Sequence, residues 1–243
     1  MSEWIWAALA GLAAGGALLV GAIVAWVVEV PRAVVAATLA FGSGVLISAL
    51  AFDLVLEAQE EGGFWPTVVG FGLGAILYVV ANHQLDRFDQ RNRRGSGEDP
   101  GTGTGIAVGA LLDGIPESAV LGLSMLGGSG VSVPVLAAIV ISNVPEGLSS
   151  TAALKASGRT ARQTMVLWSG IALACTLASL GGFLLLADVS GAVLAGITSF
   201  AAGAMLAMIS DTMIPEAFRT EQRLTGLLAT LGFLLSFALH QVA

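Results

Sequence analysis

From Trp4 to Val28 the chain reads WIWAALAGLAAGGALLVGAIVAWVV, a run without a single charge. Seven more stretches of the same character follow, at residues 33–56, 64–85, 104–127, 131–154, 163–187, 190–214 and 224–242. A helix needs roughly 20 apolar residues to cross the hydrocarbon layer. The stretches have that length and lack the period-2 alternation of a membrane barrel. Eight of them exceed what a soluble helical bundle buries. The pattern therefore predicts an all-α integral membrane protein with eight transmembrane helices, in one polytopic domain covering residues 1–243.

Composition agrees. The chain is 56% hydrophobic and 11% charged, with a mean hydropathy of +0.87; soluble domains carry about 25% charged residues. The first stretch does not read as a cleaved leader, because Glu3 and no basic residue precede a long apolar run. The single cysteine, Cys175, excludes an intrachain disulfide and any cysteine-rich metal site.

The ten basic residues are Arg32, Arg87, Arg91, Arg93, Arg94, Lys155, Arg159, Arg162, Arg219 and Arg223. All fall in the connections between spans 1–2, 3–4, 5–6 and 7–8. The positive-inside rule places those connections in the cytoplasm and both termini outside. Trp4, Trp6 and Trp65 then fall near the outer boundary, and Trp26 and Trp168 near the inner one, as an aromatic belt does. Residues 86–103, DRFDQRNRRGSGEDPGTG, read as a cytoplasmic linker between spans 3 and 4. Its charge is nearly balanced, so no nucleic-acid partner is expected.

A repeat is visible. FGSGVLISALAFDLVLEA (Phe41–Ala58) and FAAGAMLAMISDTMIPEA (Phe200–Ala217) align at a fixed offset of 159, matching Phe41 with Phe200, Gly44 with Gly203, and Glu57-Ala58 with Glu216-Ala217. Asp53 and Asp211 miss by one position. These segments cross in opposite directions, so spans 1–3 and 6–8 read as inverted copies around spans 4 and 5. Inverted repeats are a feature of transporters.

Acids lie where hydrocarbon should be: Asp53, Asp113, Glu117, Glu146 and Asp211, with Glu57 and Glu216 at span ends. No span interior holds Lys or Arg. An ionised acid at mid-bilayer costs about 2.5–3.5 kcal/mol. The three deepest, Asp113, Glu117 and Glu146, would then cost on the order of 8–10 kcal/mol if charged and unpaired. Protonation is one remedy and a bound cation another. The spacing favours the cation. Asp113 and Glu117 are four apart on one helical face, as are Ser142 and Glu146 on the next span, and Asn143 adds an amide oxygen. Such an oxygen-rich set suits a divalent metal. Pro116 and Pro145 cannot donate to the carbonyls of Leu112 and Ile141, which leaves polar backbone beside the acids. Pro215 does the same for Asp211. By depth, Asp53 and Glu57 form an entrance, the central acids a site, and Asp211 and Glu216 an exit. His83 and His240 read as interfacial, and Met205, Met208 and Met213 as packing residues.

DGIPES in span 4 and SNVPEG in span 5 resemble the paired HNxPEG-type motifs of the ZIP family of divalent-metal transporters. AAGAMLAMISDTMIPEA in span 7, the eight spans and the cytoplasmic 3–4 connection extend the likeness over nearly the whole chain. The resemblance implies a mid-membrane metal site between spans 4 and 5, with Asp113, Glu117, Ser142, Asn143 and Glu146 as ligands. Asp113 and Ser142 stand where the family carries His or Gln, Gly114 where it often has Asn, and Asp211 where span 7 often has His. Leu173 replaces an acid that helps hold a second ion in some members, which favours one ion here. An all-oxygen set opens the choice among zinc, iron and manganese, with cadmium as a further ion.

The expected function is transport of divalent metal cations toward the cytoplasm, a direction the resemblance implies, by a multi-pass protein of the plasma membrane and not by an enzyme. Dimers occur in the family, so a homodimer is an expected partner state. Two alternatives remain at this stage: an intramembrane aspartyl-type hydrolase using Asp113 with Asp53 or Asp211, and a proton-coupled carrier of a cationic organic solute.

Overall fold

The computed structural model describes residues 2–96, 103–126, 130–186, 189–220 and 223–242. Among these residues all regular structure is helical. Helix α1 spans Glu3–Val27. Helix α2 runs Arg32–Ala49, passes through a π-helical turn at Leu50–Val55 and continues as Leu56–Gly62. Then come α3 (Phe64–Ser96), α4 (Gly103–Leu123), α5 (Val133–Ala156) and α6 (Ala161–Leu185). Helix α7 runs Gly191–Met208, through a second π-helical turn at Ile209–Met213, into Ile214–Thr220. Helix α8 is Thr225–Val242. Among the described residues seven of these, α1 to α7, are long and apolar enough to cross a membrane, and α8 is a shorter apolar helix.

Local chemistry explains the boundaries. Gly63 turns the chain between α2 and α3 at φ +86°, which a side chain disfavours. Thr160 opens α6 with a capping box, its hydroxyl accepting from the Gln163 amide while the Gln163 side chain accepts from the Thr160 amide. One boundary differs from expectation. Helix α3 continues to Ser96, well into the stretch read as a linker, and residues 97–102 of that linker lie outside the described residues. The sequence offers a reason: no proline intervenes before Pro100.

The helices are apolar outward. Trp65, Ile76, Val166, Leu173 and Leu185 are among many large exposed hydrophobic residues, as a lipid-facing surface requires. The interior is built from small residues. Where α1 crosses α5, a Cβ on Gly21 would meet the Val144 carbonyl oxygen at 2.1 Å, and one on Gly147 would meet that of Leu18 at 2.1 Å. Only backbone-to-backbone packing permits this, and it replaces the hydrophobic drive that lipid removes.

These close crossings divide the helices into two groups. Helix α1 packs chiefly on α5 and α6, and α4 on α6; α2 packs chiefly on α8 and on α7, and α3 on α7. The chain order suggests three, two and three, but the packing unites α4 and α5 with α1 and α6. Helices α4 and α5 touch each other little. A seam separates the groups, formed mainly where α2 meets α5 and α4 meets α7. It is looser at Gly42, where an added Cβ would lie 3.1 Å from the Ser142 Cα.

Candidate metal pathway

Pro116 and Pro145 both sit inside helices that continue past them. Asp113 of α4 and Glu146 of α5, in one helix group, face Leu39 of α2 and Thr212 and Glu216 of α7 across the seam. Asp113 and Glu146 line one cavity of about 180 Å³, together with Ser149, Ser150, Thr212 and Glu216. The Asp113 Oδ1 has no hydrogen-bond partner. A larger cavity of about 710 Å³ adjoins it, lined by Glu29, Arg32 and Lys155 among others. The two share Leu39, Ser149 and Glu216. At this neck the Ser149 hydroxyl donates to the Glu216 carboxylate, from one helix group to the other.

Glu117 lies deeper. Only 1% of it is exposed, and neither carboxylate oxygen has a hydrogen-bond partner. Asn143 is equally buried; its amide donates to the Ala14 carbonyl at 3.0 Å while its own oxygen stays unpartnered. Ser142 donates to the Ile139 carbonyl at 3.0 Å. Among the described residues, no three of His, Cys, Asp and Glu stand close enough to grip one ion. The five expected ligands thus fall into a cavity pair, Asp113 and Glu146, and an enclosed set, Glu117, Ser142 and Asn143.

At the other end, Asp53 sits in the π turn of α2. Its Oδ1 is 2.7 Å from His240 Nδ1, and its Oδ2 is buried without a partner. The Phe52 ring packs on Phe237 at 5.1 Å and on the His240 ring at 6.0 Å. His240 is therefore a partner for a buried acid and not merely interfacial, a role its place near a span end concealed. Glu57, half-buried, lines only a crevice of about 10 Å³ with Glu61. Asp211 is exposed and lines none of these spaces, whereas Glu216 lines both the 180 Å³ and the 710 Å³ cavities. The sequence reading also missed Tyr78. It is the chain's sole tyrosine, buried on α3 and lining a small space with Leu112, Asp113 and Pro116 of α4. An aromatic residue in an apolar span gives no polar signal.

Fold and site together define a multi-pass membrane protein with acid-lined internal cavities. No family model matches the chain. It is 31% identical over 217 residues to a protein of Arabidopsis thaliana named "Putative zinc transporter", an alignment that takes in 87% of this chain and 34% of the relative. The chain spans about a third of that relative's length. The relative's name agrees with the ZIP resemblance carried by the Pro-Glu motifs.

Proposed function

We propose that the protein is a ZIP-like transporter that moves divalent metal cations, zinc, iron or manganese, across the membrane toward the cytoplasm. The observation that carries the reading is the cavity lined by Asp113, Glu146 and Glu216, which shares Leu39, Ser149 and Glu216 with the larger space beside Arg32 and Lys155. Carboxylates without resident cations need a visiting one. The donors are carboxylate, hydroxyl and amide oxygens, a set that hard divalent ions favour and that zinc also accepts. Glu117, Asn143 and Ser142 complete the coordination when a cation draws the acids together. The relative's name adds zinc as a candidate.

In this reading α8 is the eighth crossing, both termini lie outside, and the basic ends of α2 and α5 mark the cytoplasmic face. The structure is then open inward: the space by Lys155 is large and the crevice by Glu57 is nearly closed. Transport proceeds by sliding of one helix group along the seam against the other, which exposes the site alternately. Glu216 receives the ion on leaving and Asp53 with Glu57 on arriving. The hydrolase alternative needs two aspartates sharing a proton, but Asp53 faces His240 and Asp211 is exposed. The test is metal uptake by vesicles containing the purified full chain. Wild type accumulates zinc, manganese or ferrous ion; Glu117→Ala and Glu146→Ala abolish uptake while thermal unfolding stays unchanged. Unaltered uptake in both variants removes the site.

A further inference from the structure

Helices α5 and α6 are joined by a short turn yet touch little; each packs on α1 instead. A separate cavity of about 440 Å³ lies where they part, walled by both helices, the turn and the start of α4. The turn is fixed at both ends. Gly158, at φ +81°, closes α5: its amide donates to the Lys155 carbonyl at 3.1 Å, and the Arg159 amide donates to the Leu154 carbonyl at 3.2 Å. Thr160 then caps α6. Arg159 therefore stands between two anchored helix ends, and its side chain lines the cavity. Among the described residues it is the only charged one that does, and it has no ion-pair partner. Lys155, by contrast, lines the 710 Å³ cavity and lies over the Trp26 ring at 5.6 Å.

Two further donors line the same cavity. Gln163 accepts from the Thr160 amide through its side-chain oxygen, which leaves its NH2 group to donate. Thr164 is 1% exposed, and its hydroxyl has no partner among the described residues. A buried hydroxyl ordinarily has one. A guanidinium, an amide NH2 and a hydroxyl at the positive end of a 25-residue helix suit a phosphate group. The rest of the lining is apolar, and Val166, which belongs to it, is 66% exposed on the lipid-facing surface. That wall suits acyl chains and serves no purpose for a free anion. We infer that this cavity binds the headgroup phosphate of an anionic phospholipid, with Arg159, Gln163 and Thr164 on the phosphate and Val166 along the chains. Basic cavities between helices at the cytoplasmic side bind such headgroups, and that leaflet carries the negative charge. The choice of leaflet rests on the proposed orientation; the site rests neither on it nor on transport.

The test uses the purified full chain in micelles of a neutral detergent, without metal. Dioleoyl phosphatidylglycerol, dioleoyl phosphatidylcholine or inorganic phosphate is titrated in, and binding is followed by native mass spectrometry and by the unfolding midpoint. Phosphatidylglycerol is expected to bind and to raise the midpoint, phosphatidylcholine to bind more weakly, and inorganic phosphate to do neither at the same concentration. Arg159→Gln is expected to raise the phosphatidylglycerol Kd about fivefold, the share of one basic residue near a membrane surface. Arg162→Gln makes the same charge change at an exposed residue outside the cavity lining and is expected to leave the Kd nearly unchanged. A Kd for Arg159→Gln equal to wild type overturns the inference. So do equal losses in the two variants, which mark diffuse charge attraction. Phosphatidylcholine or inorganic phosphate binding as tightly as phosphatidylglycerol overturns the anionic-lipid assignment. Should Arg159→Gln fail to fold, Thr164→Val, which removes the buried hydroxyl, carries the comparison: weaker binding supports the inference and unchanged binding overturns it. Lipid in micelles reaches both ends of the protein, so these outcomes are independent of the orientation, and a failure of metal uptake would sink the transport reading alone.

Discussion

A carboxylate enclosed at the end of α2 needs a counter-group, and His240 of α8 supplies it at 2.7 Å. Removing one member of a buried pair leaves the other uncompensated. His240 is 33% exposed and Asp53 only 8%, so solvent softens the loss. His240→Ala is expected to destabilise the protein by about 1–2 kcal/mol. Thermal unfolding in detergent measures this, and the Asp53→Asn/His240→Ala double variant should lose less than the sum of the two single changes. At the neck between the two cavities, Ser149→Ala removes the donor to Glu216 without adding bulk. On the proposed transport reading, uptake is expected to persist with an altered KM, because the Glu216 carboxylate is kept, while Glu216→Ala should lower uptake strongly. Equal, wild-type kinetics in both would remove this neck from the path. None of these pairings was readable from the chain alone. His240 stands 187 residues from Asp53, and nothing local marks the two as partners.

Single elements carry a second kind of constraint. A Cβ on Gly147 would meet backbone of α1 at 2.1 Å, whereas one on Gly16 meets nothing within 4 Å. Gly147→Ala is therefore expected to cost about 2 kcal/mol or more through forced separation of α1 and α5. Gly16→Ala should be neutral or slightly stabilising, as helix propensity favours alanine; unfolding midpoints of the two variants check the contrast. Seven of the eight expected spans were legible because length and hydropathy set them and lipid permits little else. So was the Asp113–Glu117 spacing, which a helix alone determines. The π turns were not. They begin at Leu50 and Ile209, positions 159 apart, the same offset that aligns the two segments in sequence. One is six residues long and the other five, and each contains the aspartate that fell out of step by one. A π turn inserts a residue into an otherwise regular helix and recurs at functional positions. The one-residue slip thus coincides with paired irregularities that no propensity scale reports.

For the molecule as a whole, the question is which parts move together. The expected inverted repeat, spans 1–3 and 6–8 around 4 and 5, concerns chain order, and hydropathy carries no information on neighbours. The close crossings supply that information, because helices whose backbones touch through glycine cannot slide past one another without separating. Such contacts lie within each group, as at Gly21 and Gly147, while Gly42 meets Ser142 across the seam less tightly. An ideal Cβ on Gly42 stands 3.4 Å from the Ser142 Cβ, close to the separation a disulfide spans. The pair Gly42→Cys and Ser142→Cys should therefore cross-link under oxidation and fasten the two groups. Uptake is expected to stop on oxidation and to return, at the level Ser142→Cys alone allows, on reduction. If the oxidised protein, with its cross-link verified by mass spectrometry, still transports at the reduced rate, the groups do not slide at this seam. The cation would then have to pass through the cavities with both groups at rest, and the narrow crevice beside Glu57 would have to open by side-chain motion alone.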